Sequence, residues 1–186
     1  MYEKILEFDF SVLDFIQSHF ANSYMNAVMK AISSSYLFAL WIIVGIVLIF
    51  IKKQRLNGIS ILCSLGITIL LTEFLIKLVF MRERPFQLNE AHTLLIAPPF
   101  GTSFPSSHTA LSFAAAVVLL RVSKPIGISA IIVALLVGFS RMYLYVHFPT
   151  DVLAGAVVGT AAAMLSVFAV GKIAKKIRDK KQTANA

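Results

Sequence analysis

Apolar residues fall into five long blocks: Ser33–Ile51, Ile59–Phe80, Ser106–Leu120, Ile126–Phe148 and Asp151–Val170. About 20 apolar residues carry a helix across a bilayer, so these blocks predict five transmembrane spans. The third holds only 15 residues, roughly 22 Å of helix, and is expected to start below the membrane surface, inside a cleft. Ahead of the blocks, residues 4–31 set Ile5, Leu6, Phe8, Phe10, Val12, Leu13, Phe15 and Ile16 beside Glu3, Glu7, Asp9 and Asp14. That mixture is too charged to span and predicts one or two amphipathic helices lying at the interface. The expected fold is all-α, a polytopic transmembrane helix bundle of five full spans plus N-terminal amphipathic interfacial helices. Its expected divisions are residues 1–32 at the interface, 33–171 as the core and 172–186 as a basic cytoplasmic tail.

Composition agrees with that pattern. Of the 186 residues, 58% are apolar and 14% charged, with a mean hydropathy of +0.83; a soluble domain carries about 45–50% and about 25%. A soluble enzyme, a disordered tail and a disulfide scaffold are thereby excluded. The lone cysteine, Cys63, lies inside an apolar block and reads as an ordinary lipid- or core-facing residue. The start Met1-Tyr2-Glu3-Lys4 has neither the basic residues nor the apolar stretch of a cleavable signal peptide, so the mature chain is expected to begin near Met1.

The net charge of +8 belongs to cytoplasmic loops in a membrane protein, not to nucleic acid. Eleven of the seventeen basic residues lie on one side: Lys52, Lys53 and Arg55 in the first loop, Arg121 and Lys124 in the third, and six in the tail. That side is expected to be cytoplasmic, which puts the N-terminus outside. The tail is expected to meet anionic lipid headgroups.

The chemistry gathers at the opposite ends of the spans. Lys77 lies near the exit of the second, followed by Arg84-Pro85. Phe104-Pro105-Ser106-Ser107-His108 opens the third. Ser140-Arg141 lies near the end of the fourth, His147 follows six residues later, and Asp151 stands at the mouth of the fifth. Lys77, Arg84 and Arg141 supply fixed positive charge for phosphoryl oxygens. Pro105 ahead of Ser106, Ser107 and His108 reads as a helix start, whose free N–H groups attract anions. His147 can attack phosphorus if a carboxylate fixes its tautomer, and Asp151 is four residues away; His108 is left to protonate a leaving oxygen.

These residues reproduce three motifs, Lys-x6-Arg-Pro, Pro-Ser-Gly-His and Ser-Arg-x5-His-x3-Asp, and over residues 35–170 the chain resembles the type 2 phosphatidic acid phosphatase superfamily. The resemblance implies the family's six-helix-type core, a phosphohistidine intermediate, and no metal or other cofactor. It implies His147 as nucleophile, Asp151 as its orienting partner and His108 as general acid. Lys77, Arg84, Ser106, Ser107 and Arg141 would form the phosphate-binding set. Two departures stand out: the family's glycine is Ser107 here, and the N-terminal region is too polar for a regular first span.

Small size and short loops resemble the family's bacterial undecaprenyl-pyrophosphate phosphatases of the bacitracin-resistance type. The resemblance thus implies a lipid (pyro)phosphate substrate in the bacterial cytoplasmic membrane, met at the outer face. A phosphatidylglycerophosphate or phosphatidate phosphatase is the nearest alternative, and a protein that binds or moves lipid phosphates without cleaving them is another. Arg82 stands between two readings, a solvated loop charge or a contact to a second phosphate. Glu73, four residues before Lys77, reads as a supporting ion pair. Gly155 and Gly159 read as a helix-packing pair. His19 and His92 match none of the motifs.

Overall fold

The computed structural model describes residues 2–34, 36–89 and 91–184. Two helices, α1 (Tyr2–Phe20) and α2 (Ser23–Ile32), precede the apolar blocks. The first two blocks become α3 (Tyr36–Phe50) and α4 (Arg55–Leu71); α4 continues through a π-helical turn, Thr72–Ile76, into α5 (Lys77–Phe80). After a single turn, α6 (Pro85–Leu88), come α7 (Ser107–Leu119), α8 (Lys124–Tyr143) and α9 (Pro149–Ala184). Among the described residues, four stretches, Ser23–Phe50, Arg55–Leu88, Lys124–Tyr143 and Pro149–Thr183, are long and apolar enough to cross a membrane, and α7 is a shorter apolar helix. The chain is therefore an all-helical, multi-pass membrane protein. α9 runs without a break through the lysines at 172–181, because lysine and arginine are good helix formers.

α7 is the axis of the bundle. It packs against α9, α8, α4 and α3, and Thr109, Ala110, Ser112, Ala114, Ala115, Ala116 and Val118 are all buried. A helix covered on every side needs small residues, since lipid supplies no hydrophobic drive and association rests on close backbone approach. The same logic fixes α9: a methyl group on Gly155 or Gly159 would strike the carbonyls of Ser106 and Ala110 on α7. This is the packing role expected of the pair. Polar side chains tie the helices inside the apolar medium, Ser166 Oγ donating to Ser60 O at 2.8 Å and Trp41 Nε1 to Ser112 Oγ at 3.4 Å. Leu70, Phe74, Leu135, Val157 and Phe168 point outward, as a lipid-facing surface requires. Cys63 is exposed on α4 in the same way.

α1 and α2 cover the end of α8 and the segment that links it to α9. Leu13 and Ile16 are buried among Tyr143, Leu144, Tyr145, Val146 and Phe148. Gln17 Nε2 donates to the carbonyl of Tyr143 at 2.7 Å, satisfying a helix end that has no intrahelical partner. The linking segment 144–148 is consequently buried along its whole length. Tyr145 is left-handed there, with φ of 59°, a conformation costly for a bulky residue and found where surroundings over-determine the backbone.

Candidate active site

His147 lies in the linking segment, its backbone N–H donating to Arg141 O at 3.3 Å. Asp151 stands in the first turn of α9. Its Oδ2 accepts from Phe148 N at 2.8 Å and from Ser103 Oγ, and its Oδ1 accepts from Arg82 Nη1 at 2.8 Å. His147 Nδ1 is 3.6 Å from Asp151 Oδ2, an ion-pair separation just outside hydrogen-bond reach. On the other edge of the ring, Arg84 Nη1 comes within 3.3 Å of Nε2. Arginine has only donors, so Nε2 accepts and the ring proton belongs on Nδ1, the nitrogen that faces Asp151. Burial pushes the imidazole down to about 4; Asp151 works against this, while Arg141 and Arg84 add to it. At neutral pH the ring is therefore uncharged, with a lone pair on Nε2.

Arg84 is buried and spends three donors on backbone carbonyls: Nε to Gly101 O at 2.9 Å, Nη2 to Phe100 O at 3.0 Å and Nη1 to Val146 O at 2.9 Å. It thereby fastens the 81–103 loop to the segment that holds His147. Ser106 opens α7, donates its N–H to Asp151 O at 3.0 Å and accepts Thr109 Oγ1 at 2.9 Å, joining the starts of α7 and α9. His108 lies within electrostatic reach of Arg141, His147, Lys77 and Arg84. Arg141, at the end of α8, donates to Ser33 Oγ. Lys77 Nζ is 2.7 Å from Glu73 Oε1, the ion pair expected of that spacing, and the same oxygen accepts Ser107 Oγ. A cavity of about 210 Å³ reaches this corner, with Glu73, Ser107 and His108 at its polar end and Leu37, Phe38 and Trp41 along its apolar wall.

Arg82 takes neither place left open by the sequence. Its guanidinium is buried and paired, with Nη2 donating to Asp9 Oδ2 at 2.6 Å and Nη1 to both Asp151 Oδ1 and Thr150 Oγ1. Two carboxylates already hold it behind Asp151, so it is no spare cation for a second phosphate. Sequence reasoning also missed Asp9, Thr150 and Ser103. For Asp9 a signal existed: with Leu13 and Ile16 it forms an i, i+4, i+7 row, which makes it an acid on the buried stripe of α1. Among the described residues no group of three His, Cys, Asp or Glu side chains is placed to hold a metal ion.

The sequence profile of the PAP2 superfamily matches residues 57–175. A protein of Sulfolobus acidocaldarius named undecaprenyl-diphosphatase is 38% identical over 144 residues, spanning 77% of this chain and 69% of its own. Undecaprenyl-diphosphatase BcrC of Bacillus subtilis is 33% identical over 77% of this chain and 74% of its own. Among solved structures, a transmembrane PAP2-type phosphatidylglycerolphosphate phosphatase from Bacillus subtilis superposes with a TM-score of 0.72 at 30% identity, covering 94% of this chain and 88% of that one.

Proposed function

Because this chain belongs to the PAP2 superfamily and is a membrane phosphatase, we propose that it cleaves undecaprenyl pyrophosphate to undecaprenyl phosphate at the outer face of the cytoplasmic membrane. The observation that carries the substrate is the pair of relatives named for that reaction, at 33% and 38% identity over most of the chain. The outer face is inferred from the eleven basic residues at the opposite span ends.

His147 Nε2 attacks the terminal phosphorus, forming the N–P bond as the bridging P–O bond breaks. His108 protonates the departing lipid phosphate, then removes a proton from the water that hydrolyses the phosphohistidine. Asp151 faces Nδ1–H and stabilises the positive ring that forms. Arg84, Arg141, Lys77, the Ser106 hydroxyl and the Ser107 N–H receive the phosphoryl oxygens, with Lys77 and Ser107 exchanging Glu73 for substrate. No step calls for a metal, so EDTA should leave turnover intact; loss on chelation with rescue by a divalent ion contradicts this.

The deciding experiment is phosphate release by detergent-solubilised enzyme from undecaprenyl pyrophosphate, phosphatidylglycerophosphate and phosphatidate. The first should have the highest kcat/KM. The second reading, a phosphatidylglycerophosphate phosphatase, draws on the solved structure of that description; a higher kcat/KM on phosphatidylglycerophosphate would establish it instead.

A further inference from the structure

Asp9 is a fully buried carboxylate on a helix held to the bundle mainly by apolar contacts and by the Gln17 hydrogen bond. Its Oδ2 accepts Arg82 Nη2 at 2.6 Å and Thr150 Oγ1 at 2.6 Å, and its Oδ1 accepts Thr150 N at 3.1 Å. Thr150 Oγ1 in turn accepts Arg82 Nη1 at 2.7 Å, and that same nitrogen reaches Asp151 Oδ1. The Arg82 guanidinium lies 4.1 Å from the centre of the Phe148 ring, next to His147 in sequence. A continuous chain of contacts thus runs from α1 through Arg82 to the carboxylate that faces the imidazole.

Stability gives little reason for this charge. An apolar side chain at position 9 would complete the buried stripe, and buried ion pairs are often no more stable than apolar replacements. Charge arithmetic gives a better reason. Arg82 and Asp151 alone sum to zero, which leaves little field to support a positive imidazole. With Asp9 the three groups sum to −1, and the negative charge of Asp151 remains effective at His147. We propose that Asp9 is a positioning residue for the reaction: through Arg82 it fixes Asp151 and preserves its charge toward His147, making the N-terminal helix part of the catalytic unit. The proposal rests on His147 being the nucleophile.

The test is Asp9→Asn in the full-length, detergent-solubilised enzyme, reading kcat, KM and the acid limb of kcat/KM. The charged or titratable groups around His147 are Asp151 on α9, Arg141 on α8, His108 on α7 and Arg84 on the preceding loop, with Arg82 behind Asp151. Removing the Asp9 charge leaves Asp151 alone to offset Arg82 and disfavours the imidazolium. The expected result is a kcat at least tenfold lower, KM within twofold, and an acid limb displaced to lower pH.

A merely structural role predicts the opposite displacement, because loosening admits water and relieves the burial that holds His147 down. Leu13→Ala, which loosens α1 without changing charge, calibrates that outcome. An unchanged kcat, or an acid limb that rises as in Leu13→Ala, overturns the proposal. Should Asp9→Asn fail to fold, Thr150→Val removes the hydroxyl bridging Asp9 and Arg82 without unpairing a charge; kcat should fall at least threefold, and wild-type kcat overturns the proposal. Activity in His147→Ala would overturn the underlying reading, whereas an inactive His147→Ala beside a normal Asp9→Asn overturns this inference alone.

Discussion

Asp151 is completely buried, and side chains or backbone from the 81–103 loop and the 144–148 segment converge on it. Across the site, Lys77 and Ser107 share one carboxylate, Glu73, whose side chain is 41% exposed and stands on a π-helical turn of a lipid-facing helix. The α9 side is a rigid frame in which moving one group requires moving several. The α4 side is a set of exchangeable contacts at the end of an apolar cavity. On the proposed mechanism, the difference follows from what each side must do. A nucleophile needs fixed geometry before substrate arrives, while groups that receive a mobile headgroup need partners they can release. π-helical turns recur at functional positions for a related reason, since they bring a side chain out of helical register.

The comparison is broken most directly on the rigid side. His147→Ala should lower turnover by at least about 10⁴-fold, and Asp151→Asn by on the order of 10³- to 10⁴-fold through loss of the ring's tautomer and support. Both should leave the fold intact by size exclusion in detergent. Comparable losses in a Glu73 variant would erase the distinction between the two sides.

On the exchangeable side the effects are smaller. Lys77→Ala removes one charge-assisted contact to phosphate, worth about 1.5–3 kcal/mol, so kcat/KM should fall by about ten- to a hundredfold. A KM that stays constant while kcat collapses would instead move Lys77 into the rigid frame.

The imidazole supplies a pH test. His147 is pushed down to about 4 by burial, and in the proposed mechanism only the neutral ring attacks. Activity on the acid side should therefore hold through pH 5 and fall as pH drops through about 4, reaching about a tenfold loss one unit lower. An acid limb near the ordinary histidine value of about 6.5 would mean that the ring is hydrated and the frame is looser than its contacts indicate.

The span pattern was legible because charged residues set off most of the apolar blocks; α3 and α7 fall within the expected limits, while α4 and α8 begin at Arg55 and Lys124, ahead of the expected Ile59 and Ile126. The length of α9 was not legible, because a change from apolar to lysine-rich composition marks the membrane boundary without ending a helix. Lys77, Arg84, His108, Arg141, His147 and Asp151 could be named because their spacing within three motifs is local. Asp9 and Arg82 are 73 positions apart, and composition gives the charges of residues 4–31 only as part of one amphipathic mixture. The period of 3.6 separates Asp9 from them by placing it beside Leu13 and Ile16, whereas Glu3, Glu7 and Asp14 stay exposed. Arg82 stays between a loop charge and a phosphate contact in the sequence for the complementary reason: its partners come from α1 and from the start of α9.

The smallest expected effect belongs to Glu73 and tests the exchangeable side most closely. In the free enzyme its carboxylate occupies Lys77 and Ser107, so a phosphate that binds there must displace it and then sit beside its negative charge. Glu73→Gln keeps the shape and removes both penalties. A half-exposed ion pair of this kind is worth about 0.5–1 kcal/mol, which sets the expected change at about a two- to fivefold lower KM, with kcat within about a factor of two. Inhibition by vanadate, which resembles phosphate in charge and shape, should tighten by a similar factor because it competes for the same donors. The opposite result is as informative. If Glu73→Gln raises KM or lowers kcat by tenfold or more, the carboxylate is holding Lys77 in place for the substrate instead of yielding it, and the α4 side is as preorganised as the α9 side.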